Sequence, residues 1–352
     1  MRVEELRGSD FWKSNAPLLM ERNEALEDWL STRVDLNRHV LFRTSGSSGV
    51  QKWIALSKDA LAWSAERVVE HLSMTSADVC ALALPTHHVG GFGMVARCEV
   101  SGARLVEFEG RWSAQGFTEL CLLEKVTITS LVPTQVDDLV SEQIAAPASL
   151  RSIVVGGGSL HPKLAQKARG LGWPVVPSYG MTETGSQIAT GENLPLIKGW
   201  DATVRDERLM VKGEGLLSGI VTHEGGSFEF HDPKDDGWYL TSDLASLSGR
   251  NLTVRGRADR RVKILGELVD LVALEDFWAE KTGGEVAIIG SSDERRGLHL
   301  ILFYTGDESP IRDLNNDLPG PERLFKWKKL QELPRSPLGK IDRLNLREIH
   351  LD

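Results

Sequence analysis

Hydroxyls, glycines and one lysine coincide in Thr44-Ser45-Gly46-Ser47-Ser48-Gly49-Val50-Gln51-Lys52, between the apolar runs 40–42 and 53–56. Glycines let a loop turn its backbone N–H groups toward a phosphate, hydroxyls add donors, and a lysine supplies a point charge. The segment is not a Walker loop, because Lys52 stands three residues after Gly49 rather than directly after it. A polar hairpin loop without a ligand is the competing reading of these residues alone. Gly156-Gly157-Gly158, taken alone, is a turn. Arg97 stands in an otherwise apolar helical stretch, 92–100, and a cation there wants a counter-charge. It could instead snorkel to solvent or pair with Glu99. His88, nine residues earlier, could donate to an acid or pack beside Gly90 and Gly91.

These groups need a scaffold, and the chain has the means to build one. Its 352 residues are 41% hydrophobic and 26% charged, enough for a sizeable core and about two domains on length. From about residue 41 to 177, short apolar runs (79–84, 104–108, 127–131, 152–155, 174–177) alternate with helical patterns (57–74, 113–124, 134–141, 161–170). That order reads as α/β with a largely parallel sheet. From 196 to 252 short alternating segments broken by Gly and Asp-Gly read as a β-rich subdomain. After Gly256 the pattern becomes small and mixed: a hairpin over 261–272, a helix over 273–281, strands over 285–290 and 299–304, and a closing helix from Asp342. The net charge of -9 argues against a nucleic-acid partner. Neither a signal peptide nor a membrane span is evident, so a cytoplasmic location is expected. Cys80, Cys98 and Cys121, widely spaced in apolar surroundings, read as reduced core residues.

The 44–52 segment resembles the phosphate loop of the adenylate-forming (AMP-dependent synthetase/ligase) superfamily, and further segments follow in the family's order. Ser178-Tyr179-Gly180-Met181-Thr182-Glu183-Thr184 is similar to its tyrosine-glycine-x-threonine-glutamate motif. By that resemblance Tyr179 stacks on adenine, Thr182 contacts phosphate and Glu183 holds magnesium, while Gly156, Gly157 and Gly158 line the adenine edge. Asp243, in Asp236-Gly237-Trp238-Tyr239-Leu240-Thr241-Ser242-Asp243, resembles the aspartate that accepts both ribose hydroxyls; a solvated loop carboxylate is the alternative. Gly256-Arg257-Ala258-Asp259-Arg260 through Leu265-Gly266-Glu267 resembles the inter-domain hinge, with Asp259 as pivot and Arg257 reaching the ribose or phosphate. Leu333-Pro334-Arg335-Ser336-Pro337-Leu338-Gly339-Lys340-Ile341-Asp342-Arg343 resembles the C-terminal motif, with Lys340 as the catalytic lysine. Gln51 stands where the family has proline, and Leu265 replaces the first glycine of a pair in the pantetheine tunnel.

The resemblance implies a large N-terminal domain with mostly parallel sheets (1–256), a hinge (257–259) and a small mobile α+β domain (260–352), with the N-terminus shortened. It implies ATP, Mg2+ and coenzyme A as reactants: a carboxylate attacks the α-phosphorus, and the acyl-adenylate then passes to a thiol. Residues 84–94, 130–135 and 179–187 are similar to the o-succinylbenzoate-CoA ligases of menaquinone synthesis, which points to an aromatic keto-diacid, with His88, Arg97, Ser186 and Gln187 as candidate contacts. Another acyl- or aryl-CoA ligase, an enzyme loading a carrier protein, and a non-catalytic nucleotide-binding relative remain open at this point.

Overall fold

A computed structural model describes residues 3–44, 51–264, 267–293, 297–335 and 341–351. The chain divides into two compact units, one of residues 1–203, 210–240 and 247–253, the other of 204–209, 241–246 and 254–352.

The first unit is built on the α/β alternation expected from the sequence. Six strands order as Arg104–Glu107, Val79–Leu82, Ile128–Leu131, Ser152–Val155, Val175–Met181 and Ser186–Thr190, the first five parallel and the last antiparallel. Central strands such as Ser152–Val155 are buried at every residue, as a strand covered on both faces must be. The connecting helices begin where the sequence can cap them. Ser57 Oγ accepts the Ala60 N–H at 3.0 Å before Lys58–Leu72, Ser113 Oγ accepts the Gly116 N–H at 3.2 Å before Ala114–Glu124, and prolines open Pro133–Ser141 and Pro162–Gly170. Phe117, Cys121, Ile153, Val155, Trp173 and Val175 pack together between helices and sheet.

A second sheet in this unit orders as Leu18–Leu19, His39–Thr44, Gln51–Ser57, Gly219–Glu224 and Ser227–His231. Its centre is an antiparallel hairpin in which Val40 faces Leu56 and Thr44 faces Lys52. Trp53, Leu41, Ala55 and Val221 seal it against Leu26 and Leu30 of the helix Glu24–Ser31. Lys58 fastens the N-terminal segment here: buried at 1% exposure, it donates to the carbonyls of Phe11, Ser14 and Ala16 at 2.6, 2.8 and 3.4 Å.

The second unit contains the expected hairpin, Arg261–Ile264 with Glu267–Asp270, and the helix Leu271–Thr282, capped by Asp270, which accepts the N–H groups of Val272 and Ala273. A three-stranded sheet orders as Val286–Asp293, Gly297–Tyr304 and Leu324–Lys329. Alternation gives it two buried faces: Val286 and Ile288 join Trp278 and Leu302, while Ala287 and Ile289 join Phe303, Leu333 and Leu346. The closing helix runs Arg343–Leu351. Four further strands, Asp201–Arg205, Arg208–Lys212, Tyr239–Ser248 and Asn251–Arg257, are each divided between the two units.

Cys80, Cys98 and Cys121 are buried and free, as expected of reduced core thiols, and burial pushes Cys121 up to about 12. Among the described residues no helix is long and apolar enough to cross a membrane.

Candidate functional site

The strand Ser152–Val155 ends at the glycine triplet, and local packing shows why glycines stand there. A Cβ on Gly156 would lie 3.0 Å from Ser178 Oγ, whose hydroxyl donates to the Val155 carbonyl at 3.0 Å. Gly157 has φ of +76°, in the left-handed region that favours glycine. Tyr179 lies on the neighbouring strand opposite Ala189, and the register shifts between Tyr179 and Gly180. At Gly180 a Cβ would fall 2.1 Å from the Ser186 carbonyl oxygen, so the two strands approach closely only because no side chain is present.

Beyond this bulge comes a short 3-10 turn, Thr182–Thr184. Buried Thr184 fixes it, accepting the Met181 N–H at 3.1 Å and lying 2.7 Å from the Ser186 carbonyl. The Glu183 carboxylate accepts the Tyr239 hydroxyl at 3.3 Å, and the Glu183 carbonyl accepts the Leu217 N–H at 2.7 Å. The next amide, Ser218 N–H, donates to the Ala55 carbonyl at 2.8 Å. Two consecutive residues thus tie the turn bearing Thr182 and Glu183 to the hairpin whose last described pair is Thr44 and Lys52. Ser45, Gly46, Ser47, Ser48 and Gly49, expected at the tip of that hairpin, lie outside the described residues.

Asp243 belongs to the second unit. It is 7% exposed, and its Oδ1 accepts Arg257 Nη1 at 3.1 Å. Arg257 also donates to both carboxylate oxygens of Asp259, at 2.8 and 2.7 Å. Burial alone would raise the Asp259 carboxyl, but the hydrogen bond and charge of Arg257, with the charge of Arg260, bring it below its ordinary value. Lys340 and Leu265 lie outside the described residues. The base from which Lys340 issues is described: Arg335 and Ile341 form an antiparallel bridge, and the Asp342 N–H donates to the Pro334 carbonyl at 2.7 Å.

In the first unit a second polar cluster forms inside apolar surroundings. The helix around Arg97 runs Val89–Ser101, three residues earlier than the pattern suggests, with His88 as its N-cap residue. Arg97 is 1% exposed, which leaves no route for snorkelling. Its Nη1 donates to Ser130 Oγ at 3.4 Å, and a Cβ on Gly93 would lie 3.1 Å from Arg97 Nη2 and 3.2 Å from Ser186 Cβ. Among the described residues Arg97 has no carboxylate partner, Glu99 included, and its Nε finds no acceptor. Burial pulls the guanidinium down to about 10, so it stays cationic at neutral pH. Ser186 Oγ lies 3.4 Å from Ser64 Oγ, whereas buried Gln187 donates Nε2 to Thr190 Oγ1 at 3.1 Å, within its own strand. The His88 ring lies beside that of His87, with centroids 4.2 Å apart and planes tilted by 49°.

Tyr239 is one of only three tyrosines and lies within 236–243, yet nothing in its sequence context marks it as a partner of Glu183. Ser64 is equally silent, because a serine inside a helix carries no signal of its own. Magnesium needs one or two carboxylates and otherwise takes water and phosphate oxygens. Glu183, a hard oxygen donor on a turn braced by Thr184, fits that requirement.

A 2-succinylbenzoate--CoA ligase of Listeria monocytogenes is 26% identical over 345 residues, 92% of this chain and 72% of the relative. An indoleacetate--CoA ligase of Aromatoleum aromaticum is 28% identical over 338 residues, 87% of this chain and 66% of the relative. The o-succinylbenzoate CoA synthetase of Bacillus subtilis, solved with the acyl-adenylate OSB-AMP, shares the fold at TM-score 0.75 and 24% identity, over 88% of this chain and 68% of that one. The family described as AMP-binding enzyme matches residues 33–208, half of the chain, and this protein belongs to it.

Proposed function

We propose that this protein activates a carboxylic acid with ATP and passes it to coenzyme A, that the acid is o-succinylbenzoate, and that the reaction runs in the cytoplasm. The observation that carries the choice of acid is Arg97, a fully buried cation beside Ser130 and Ser186 with no carboxylate partner among the described residues. A buried charge without a counter-ion is costly. A substrate that keeps one carboxylate free while the other is activated supplies that counter-ion. Three relatives named as 2-succinylbenzoate--CoA ligases, in Listeria, Staphylococcus and Bacillus, support the same acid.

The carboxylate attacks the α-phosphorus, pyrophosphate departs, and the thiol of coenzyme A then attacks the acyl carbon, losing its proton as AMP leaves. In the first step charge accumulates on phosphoryl oxygens. Thr44, Ser45, Gly46, Ser47, Ser48 and Gly49 supply donors there, with Thr182, Lys52 and Lys340; one preorganised donor of this kind is worth about 3–4 kcal/mol. Magnesium, when bound at Glu183, neutralises part of the same charge. Tyr179 offers its ring to adenine, and Gly156, Gly157 and Gly158 let the base approach the backbone. Asp243 accepts the ribose hydroxyls, for which Arg257 must share or release its hold on Oδ1. Asp259 is the pivot about which the lysine-bearing segment withdraws before the thiol enters. His88 closes the acid end and Gln187 packs behind Ser186.

Pyrophosphate release across a panel of acids tests this directly. O-succinylbenzoate is expected to lead, with AMP formation dependent on coenzyme A; equal turnover of benzoate or a fatty acid refutes the diacid assignment. The 28% identity to an indoleacetate ligase favours a second reading, an aryl acid with a single carboxylate, for which indoleacetate belongs on the panel.

A further inference from the structure

Glu275 is an acidic side chain buried to 9% exposure in the second turn of the helix Leu271–Thr282. Buried carboxylates need donors, and this one has three sources. Arg260 Nη2 donates to Oε1 at 2.6 Å, Arg343 Nη2 lies 3.0 Å from Oε2 and 3.2 Å from Oε1, and the Ile288 N–H donates to Oε1 at 2.7 Å. The places from which the two arginines come are informative. Arg260 directly follows Asp259, and Arg343 stands three residues after Lys340. One carboxylate therefore joins the chain leaving the pivot to the chain leaving the lysine, inside a single compact unit. Beside it, the Asp342 carboxylate caps the closing helix, accepting the N–H groups of Leu344 and Asn345 at 3.1 and 3.2 Å, which stiffens the Arg343 side of the link.

We infer, on the reading of Lys340 and Asp259 given above, that Glu275 is a positioning residue that makes the pivot and the lysine move as one body. A lysine delivered by rotation reaches its target only if the segment between pivot and lysine does not flex. A misplacement of about 1 Å at a reacting group costs on the order of a hundredfold in rate. Glu275 touches no substrate; it acts through Lys340.

The test is a double-mutant cycle read separately in the two half-reactions. Glu275→Gln and, as a milder break in the same link, Arg343→Met are each combined with Lys340→Ala. Adenylation is followed as pyrophosphate release, and thioester formation is followed from supplied o-succinylbenzoyl-adenylate and coenzyme A. Either single variant is expected to lose about 10- to 100-fold in adenylation, to keep thioester formation within about threefold, and to add nothing further once Lys340 is alanine. Equal loss in both half-reactions, or losses that multiply with that of Lys340→Ala, overturns the positioning role and leaves the lysine's role standing. Full adenylation by Lys340→Ala alone overturns the lysine's role and the positioning role with it.

Discussion

Replacing Arg97 by methionine should make the free protein more stable and the enzyme worse at one acid only. Burial pulls the guanidinium down to about 10, roughly two to three pH units under the ordinary arginine value, and each unit corresponds to about 1.36 kcal/mol. The fold therefore carries on the order of 3 kcal/mol against the cation. Methionine fills similar volume without charge, and exchanging an unpaired buried ion for an apolar side chain is neutral or stabilising. The bound diacid reverses the sign. Truncating one partner of a buried charge pair costs about 2–5 kcal/mol, or roughly 30- to 3000-fold in kcat/KM for o-succinylbenzoate at 1.4 kcal/mol per tenfold. Thermal melting of the free protein and pyrophosphate release with o-succinylbenzoate and a monocarboxylic aryl acid measure both effects. If Arg97→Met melts several degrees lower and loses activity equally on every acid, Arg97 is a scaffold residue and the diacid argument fails. Arg97 stays protonated below its folded value of about 10, so neither effect should vary between pH 6 and 8.

Lys340→Ala is expected to abolish adenylate formation while sparing thioester formation from supplied acyl-adenylate; parallel measurement of the two half-reactions decides this. Glu183→Gln should weaken magnesium-dependent pyrophosphate release, and an unchanged magnesium titration would remove Glu183 from the metal site. Asp78 is held down to about 2 chiefly by the Arg151 hydrogen bond, with donors from Thr75 and Thr127. A depressed carboxylate stabilises the fold above its unfolded value near 4 and loses that contribution as pH falls toward 2. Asp78→Asn should therefore cost about 2 kcal/mol at pH 7 in denaturant unfolding, with the difference from wild type vanishing near pH 2.

The parallel strands were legible because each is a continuous apolar run buried on both faces, as in Ser152–Val155. The hairpin around Lys52 was legible from two apolar runs flanking a glycine- and serine-rich loop. Arg97 stood out through conflict, a cation within an apolar helix, and the resemblance named Ser186 with it; Ser130, from a strand 33 residues away, carried no signal of its own. One helix start is hidden by glycines: Gly90 and Gly91 lie inside Val89–Ser101, and a Cβ on Gly91 would meet the Pro85 carbonyl at 2.3 Å. Lys58 was invisible for a different reason. Its partners are three backbone carbonyls 42 to 47 residues earlier, and carbonyls carry no sequence signal. The strand Leu324–Lys329, with three lysines in six residues, has too little apolar character to read as sheet.

The four divided strands bear on how this chain is made. The second unit draws residues 204–209 and 241–246 from the middle of the sequence and the rest from 254–352. Expression of residues 257–352 alone omits the segments 204–209 and 241–246 of that unit, so the isolated piece should be less stable than the same residues in the whole chain. During synthesis the six-stranded sheet, complete by Thr190, can form early. The strands Asp201–Arg205, Arg208–Lys212, Tyr239–Ser248 and Asn251–Arg257 pair with one another in one sheet, so they have their strand partners once Arg257 has emerged.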